Sequence, residues 1–115
     1  MRFTTAWKRS LRKKMDKVLS LLGLCARGKN LVSGEYSTEK AVKQGKAELV
    51  VVGMDASDNT KKRFDDMCSF RNVPIYFYAS KEELGKAIGK EMRSSAAVLN
   101  KGLAEKIIGQ LESQK

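Results

Sequence analysis

The run Leu49-Val50-Val51-Val52 contains no polar position, so neither of the two faces that a strand presents is written for water. A strand buried on both faces belongs in a sheet that is covered on either side, the usual setting of parallel pairing. What can cover it is spelled out in the flanking sequence, where helix-periodic stretches alternate with other short strands.

Trp7, Leu11, Met15, Val18, Leu22 and Cys25 keep helical spacing. They predict a first helix over about residues 15–26, with its start in the preceding tail left open. Arg27-Gly28-Lys29-Asn30 ends it with residues that tolerate a left-handed turn, and Leu31-Val32 reads as a brief strand. Ser33-Gly34 then turns into a second helix that stops at Gly45. After the Leu49–Val52 strand, the polar stretch 55–60 offers N-caps for a third helix over about 61–69, and Asn72-Val73-Pro74 breaks the chain before a strand at 75–78. Ser80 and Glu83 are spaced as a capping box for a fourth helix running through Ile88. A last strand at 95–99 and a last helix at 102–111, with Leu103, Ile107, Ile108 and Leu111 inward, complete the pattern. The expected fold is α/β: a three-layer α/β/α sandwich around a small mixed four-stranded sheet. The expected organisation is a basic N-terminal extension, 1–14, followed by a single domain, 15–115, with no repeat or long linker.

Charge narrows the partners. The chain has 23 Lys plus Arg against 13 Asp plus Glu, a formal +10. Six of the cations (Arg2, Lys8, Arg9, Arg12, Lys13 and Lys14) crowd into residues 1–14 without one acid, which leaves +4 for the remainder. Such a balance suits a polyanion, either nucleic acid or an anionic membrane surface. A spanning helix is not expected, because the longest apolar run falls far short of the ~20 residues required, and no secretory signal follows the basic start. The expected location is the cytoplasm, with no membrane partner.

Histidine is absent, which removes the commonest general base, the Cys-His and Ser-His dyads and the usual zinc combinations. Cys25 and Cys68 form no CxxC pair, and Cys25 shares a stripe with Val18 and Leu22, as a small buried hydrophobe would. The adjacent acids Asp65-Asp66 and Glu82-Glu83 point in different directions on a helix and read as solvated faces. Gly85 to Glu91 lacks GxGxxG spacing and places Glu where a phosphate loop carries Ser or Thr. We therefore expect no enzyme, no catalytic residue, no metal or cofactor and no small-molecule substrate.

The second helix is the informative one. On a 3.6-residue period Thr38, Ala41, Val42 and Gly45 share one side, and Tyr36, Lys40 and Lys43 the other. The second side sets an aromatic ring and two ammonium groups beside a helix N-terminus, where free N–H groups and the positive end of the dipole favour phosphate. Together with the run 83–96, this points to a small RNA-binding module.

Four segments in register carry a family resemblance: LLGLCARGKNLVSGE (21–35), KAVKQGKAELVVVGMDASDNTKK (40–62), NVPIY (72–76) and KEELGKAIGKE (81–91). In this order they resemble the ribosomal protein L-seven-Ae and L-thirty-e superfamily, and most closely its small bacterial YlxQ-type branch. The resemblance implies an α/β/α sandwich that binds kink-turn RNA without chemistry, with ribosomal RNA as the expected structured partner. Its better-known members carry a Gly, an Asn, a Glu and a Lys at the start of the second helix, and cover an extruded base with small and apolar residues of a loop before the last strand.

Gly34 and Lys40 match that pattern, whereas Tyr36 and Ser37 stand where the Asn and Glu would be. The second loop corresponds to Ile88, Glu91, Met92, Arg93 and Ser94, the last two replacing more apolar residues. Tyr36 lacks an amide's paired donor and acceptor, and Ser37 lacks a carboxylate for a guanine edge. The departures favour RNA binding by this surface over recognition of a standard kink-turn, with Tyr36 stacking on a base at about 1–3 kcal/mol. The expected RNA-binding set is therefore Arg27, Lys29, Gly34, Glu35, Tyr36, Ser37, Lys40, Lys43 and the second loop, with Arg93 exposed. Two other readings compete: a protein-interaction module on the same scaffold, and an RNA-recognition accessory of an RNA-modifying system. Against the latter, a chain of this length is expected to hold no cofactor domain.

Overall fold

The computed structural model of the protein describes residues 17–113. The basic extension 1–14 and the stripe positions Trp7, Leu11 and Met15 lie outside the described residues. Among the described residues the chain forms α1 (17–27), β1 (Leu31–Ser33), α2 (Glu35–Lys43), β2 (Leu49–Val52), α3 (Asp58–Arg71), β3 (Ile75–Phe77), α4 (Lys81–Ala87), β4 (Ser95–Val98) and α5 (Lys101–Ser113).

The sheet is mixed, in the order β1-β4-β2-β3. The apolar strand β2 is central and buried at all four positions, pairing in parallel with β3 and antiparallel with β4. Strand β1 closes one edge, antiparallel to β4 with Val32 opposite Ala97. Side chains alternate across the pleat, so Leu49, Val51 and Val98 enter a core with Val18, Leu22 and Cys25 of α1, Leu84 of α4 and Ile107 of α5. Val50, Val52 and Ala97 enter the other, with Ala41 and Val42 of α2 and Phe64 and Cys68 of α3. Helices α1, α4 and α5 cover one face and α2 and α3 the other, which is the three-layer α/β/α sandwich. Burial of each large apolar side chain contributes about 1.5–3 kcal/mol, and both layers are needed because β2 has no face for water.

Helix ends differ from the expected ones where a cap decides them. Ser57 Oγ accepts from the Thr60 N–H at 3.2 Å, so α3 starts at Asp58, three residues before the expected Lys61. It continues to Arg71 and closes on Asn72 in the left-handed region, φ 59°. Ser80 and Glu83 form the expected capping box. Asn100 Oδ1 accepts from the Leu103 N–H at 2.9 Å and brings the start of α5 to Lys101.

Candidate nucleic-acid interface

Helix α2 presents the two faces its period predicts except at Gly45, which follows the end of the helix and is exposed. Thr38, Ala41 and Val42 are buried, while Lys40 and Lys43 are exposed and Tyr36 is 77% exposed. Gly34 makes the turn into it at φ 91°, a region that a side chain enters only under strain, and its N–H donates to the Ser95 carbonyl at 2.9 Å. That bond fixes the helix start against β4. No side chain caps α2, so its first-turn N–H groups remain turned toward solvent beside Tyr36.

The second loop reaches this helix start because of Gly85. A β-carbon there would lie 1.3 Å from the Glu91 carbonyl oxygen, so only glycine lets residues 89–92 fold back against α4. The loop is then pinned on three sides. The Lys90 N–H donates to Gly85 O at 2.8 Å, the Arg93 N–H to Lys81 O at 3.1 Å, and the Gly53 N–H to Ser94 O at 2.8 Å. The Lys81 N–H in turn donates to Asp55 Oδ1 at 2.9 Å.

Arg93 joins the two segments. Its Nε donates to Ser33 Oγ at 3.2 Å and its Nη1 to the Met92 carbonyl at 2.9 Å, and its Cδ lies 4.0 Å from where a β-carbon on Gly34 would stand. It is half-buried, not exposed as expected, because the turn before α2 covers its stem. Met92 and Glu91 face solvent, Met92 at 56% exposure, and Ser94 is half-buried. Ile88 follows the last turn of α4 and is buried in the core with Leu22 and Leu84, so it supports the loop from beneath.

The acids of α2 are engaged with α3. Glu35 Oε1 accepts from Thr60 Oγ1 at 2.7 Å and lies 3.7 Å from Arg63, and Glu39 meets Lys43 at 2.8 Å and Arg63 at 3.0 Å. The hydrogen bond from Lys43 and the charges of Lys43 and Arg63 hold the Glu39 carboxyl below its ordinary pKa. Glu35 therefore acts within the protein as an anchor for the helix start, and Lys43 is partly neutralised. Tyr36 and Lys40 are left as the outward groups, with the Ser37 hydroxyl beside them half-buried. Sequence reasoning missed Ser33, Thr60, Arg63 and Lys81, which position the site. Only Lys81 carried a local signal, as the first residue after the Ser80 cap.

Arg27 and Lys29 are exposed at the end of α1, where they line a groove that none of Tyr36, Lys40, Met92 or Arg93 borders. The structure thus brings the turn at Ser33 and Gly34 against Arg93 of the second loop, with Tyr36, Ser37 and Lys40 following on α2, while Arg27 and Lys29 share a groove with Ile88. Cys25 and Cys68 are buried free thiols, and burial pushes Cys68 up to about 11, leaving it protonated and unreactive at neutral pH. Among the described residues no cluster of His, Cys, Asp or Glu is placed to hold a metal ion, and no helix is long and apolar enough to cross a membrane.

The family described as ribosomal protein L7Ae/L30e/S12e/Gadd45 matches residues 16–108. The chain is 41% identical over 92 residues to the RNA-binding protein YlxQ of Bacillus subtilis (strain 168), a match covering 80% of this chain and 92% of that protein. It is 28% identical over 100 residues to the large ribosomal subunit protein eL8 of Cenarchaeum symbiosum (strain A), covering 86% and 79%. Among solved structures it resembles the 15.5kD RNA binding protein of Giardia lamblia, with a TM-score of 0.75 at 26% identity over 90% of this chain and 91% of that one.

Proposed function

Since the chain belongs to the ribosomal protein L7Ae/L30e/S12e/Gadd45 family, we propose that it is a non-enzymatic, ribosome-associated protein that binds structured RNA through the start of α2 and the loop before β4. The observation that carries this reading is the Arg93–Ser33 hydrogen bond, which locks the two segments into one surface around an uncapped helix N-terminus. That surface offers free N–H groups for phosphate, Lys40 for a second anionic contact, and Tyr36 and Met92 as exposed apolar groups against which a base can lie. The relatives named above as RNA-binding and ribosomal proteins support the same direction. Tyr36 and Ser37 offer stacking and a single hydroxyl in place of an amide and a carboxylate, so the preferred RNA is bent or looped and is not held by the standard contacts to sheared G·A pairs. Ribosomal RNA in the cytoplasm is the expected partner.

Crosslinking in cells followed by sequencing tests this reading. Enriched ribosomal RNA is the expected result, whereas recovery no better than that of a basic control protein turns the surface into a protein-interaction module. With the recovered RNA in hand, log K should fall against log salt with a slope of about 0.7–0.9 per neutralised phosphate. A flat plot removes phosphate recognition.

A further inference from the structure

Beside the edge strand β1, a groove of about 490 Å³ opens between the end of α1 and the turn after α4. Its apolar side chains include Leu31 and Ile88, which pack in one layer, and its cations are Arg27, Lys29 and Lys90. No carboxylate lines it, and none of the three cations makes an ion pair among the described residues. Lys43, Arg63 and Lys86 each face an acid, whereas Lys40 on the α2 surface is unpaired like the three groove cations. Three uncompensated charges around an apolar depression match a ligand with an anionic group at one end and a flat, uncharged body at the other.

The backbone adds two further observations. Asn30 O and the Gly34 N–H are both bonded to β4 or its flank, through Leu99 N and Ser95 O. By the alternation of an antiparallel ladder, the N–H and C=O groups of Leu31 and Ser33 then face away from the sheet, on the open edge. They are the donors and acceptors that a base edge requires. Lys29 adopts φ 60°, a left-handed conformation in which glycine rests without strain and a side chain does not. A lysine is thus held at the rim of the groove in a conformation that Asn72 and Ala79 also adopt elsewhere in the fold.

We propose that this groove binds one unpaired nucleotide of an RNA strand, its phosphate held by Arg27, Lys29 and Lys90 and its base lying over Leu31 and Ile88. The proposal rests on the reading of the protein as an RNA binder, and adds a second contact region that neither Tyr36 nor Lys40 borders. A volume of about 490 Å³ lies within the roughly 300–1,000 Å³ of clefts that enclose small ligands, ample for a single nucleotide. Stacking would be sequence-tolerant, and phosphate contact would make it salt-dependent.

The test uses the full chain and a labelled ten-nucleotide oligouridylate, followed by fluorescence anisotropy. Lys29→Ala with Lys90→Ala should weaken binding about tenfold and lower the salt slope by about 0.7, for the one phosphate that the groove holds. Lys46→Ala with Lys62→Ala, an equal loss of charge on exposed positions away from the groove, should change it less than about twofold. Oligouridylate should also move the NMR methyl signals of Leu31 and Ile88. Lys29→Gly separates function from folding, since it should raise the melting temperature while weakening the oligonucleotide.

Equal loss in the two double variants, or methyl signals that stay in place, overturns the proposal. So does movement of those signals by a glutamate-rich decapeptide and not by oligouridylate, which would assign the edge to an extended acidic peptide. If oligouridylate fails while the crosslinked RNA still binds, only the groove is lost, and if both fail, RNA binding itself is lost.

Discussion

Arg93 and Ser33 lie 60 positions apart, and the Arg93 Nε donates to Ser33 Oγ at 3.2 Å. The bond ties the turn before α2 to the loop before β4, so the two halves of the candidate surface hold one geometry. It also makes Arg93 a different kind of cation from Lys40, which is exposed and unpaired among the described residues.

Two substitutions should therefore behave differently. Lys40→Ala should weaken binding of the crosslinked RNA by about 1 kcal/mol and leave the urea midpoint unchanged, as expected for an exposed charged contact. Arg93→Ala should weaken RNA binding at least as much and also lower folding stability by about 1 kcal/mol, because Ser33 and the Met92 carbonyl lose a partner. Lys106→Ala, exposed on α5, serves as the charge control. If all three bind alike, this surface is not the site.

Gly85 and Gly109 are both helical, and their surroundings are opposite. A β-carbon on Gly85 meets Glu91 O at 1.3 Å, while one on Gly109 meets nothing within 4 Å. Gly85→Ala should cost more than about 3 kcal/mol in chemical denaturation, since backbone has to move. Gly109→Ala should stabilise by about 0.5–1 kcal/mol through helix propensity. A tolerated Gly85→Ala would mean that the loop does not fold back on α4.

Thr38 is fully buried on the inner face of α2, and its hydroxyl has no hydrogen-bond partner among the described residues. An unpaired buried hydroxyl is a cost of folding, so Thr38→Val should raise stability by about 1 kcal/mol at nearly the same shape. Thermal unfolding measures it. A loss of stability would show that Thr38 has a partner in solution.

The Glu39 carboxyl is held below its unfolded value of 4.5 by the hydrogen bond from Lys43 and the charges of Lys43 and Arg63. A lowered pKa means that the folded state binds the proton less well. The stabilisation is therefore present above pH 4.5 and is lost as the pH falls through the lower folded value. The wild-type protein should exceed Glu39→Gln by about 0.5 kcal/mol near pH 7, and the two should converge as the carboxylate is protonated in acid. A difference that grows on acidification would refute the ion pairs as its source.

Local pattern was enough wherever a residue's role depends on its nearest neighbours along the chain. The two faces of α2, the Ser80–Glu83 capping box and the doubly buried β2 all follow from spacing alone, and each stands as expected. Those same periods imply the layers, because a strand without a polar face requires helices on both sides. What periodicity reports is a face, and never the element opposite it.

Partners across the fold came from the tertiary structure. Nothing near Glu35 in sequence reveals that Thr60 and Arg63 occupy its carboxylate, and nothing near Arg93 names Ser33. Ile88 sits next to a loop in sequence yet is buried, since the fold-back that Gly85 permits sends the following residues outward and leaves Ile88 over Leu84. Lys29 and Lys90 share a groove only because the sheet order β1-β4-β2-β3 brings the end of α1 beside the end of α4. The sequence by itself determined which residues go in and which go out, through the fixed periods of helix and strand. Which outward residues meet was decided by long-range packing, where one close backbone approach or one antiparallel pairing sets contacts that no local spacing encodes.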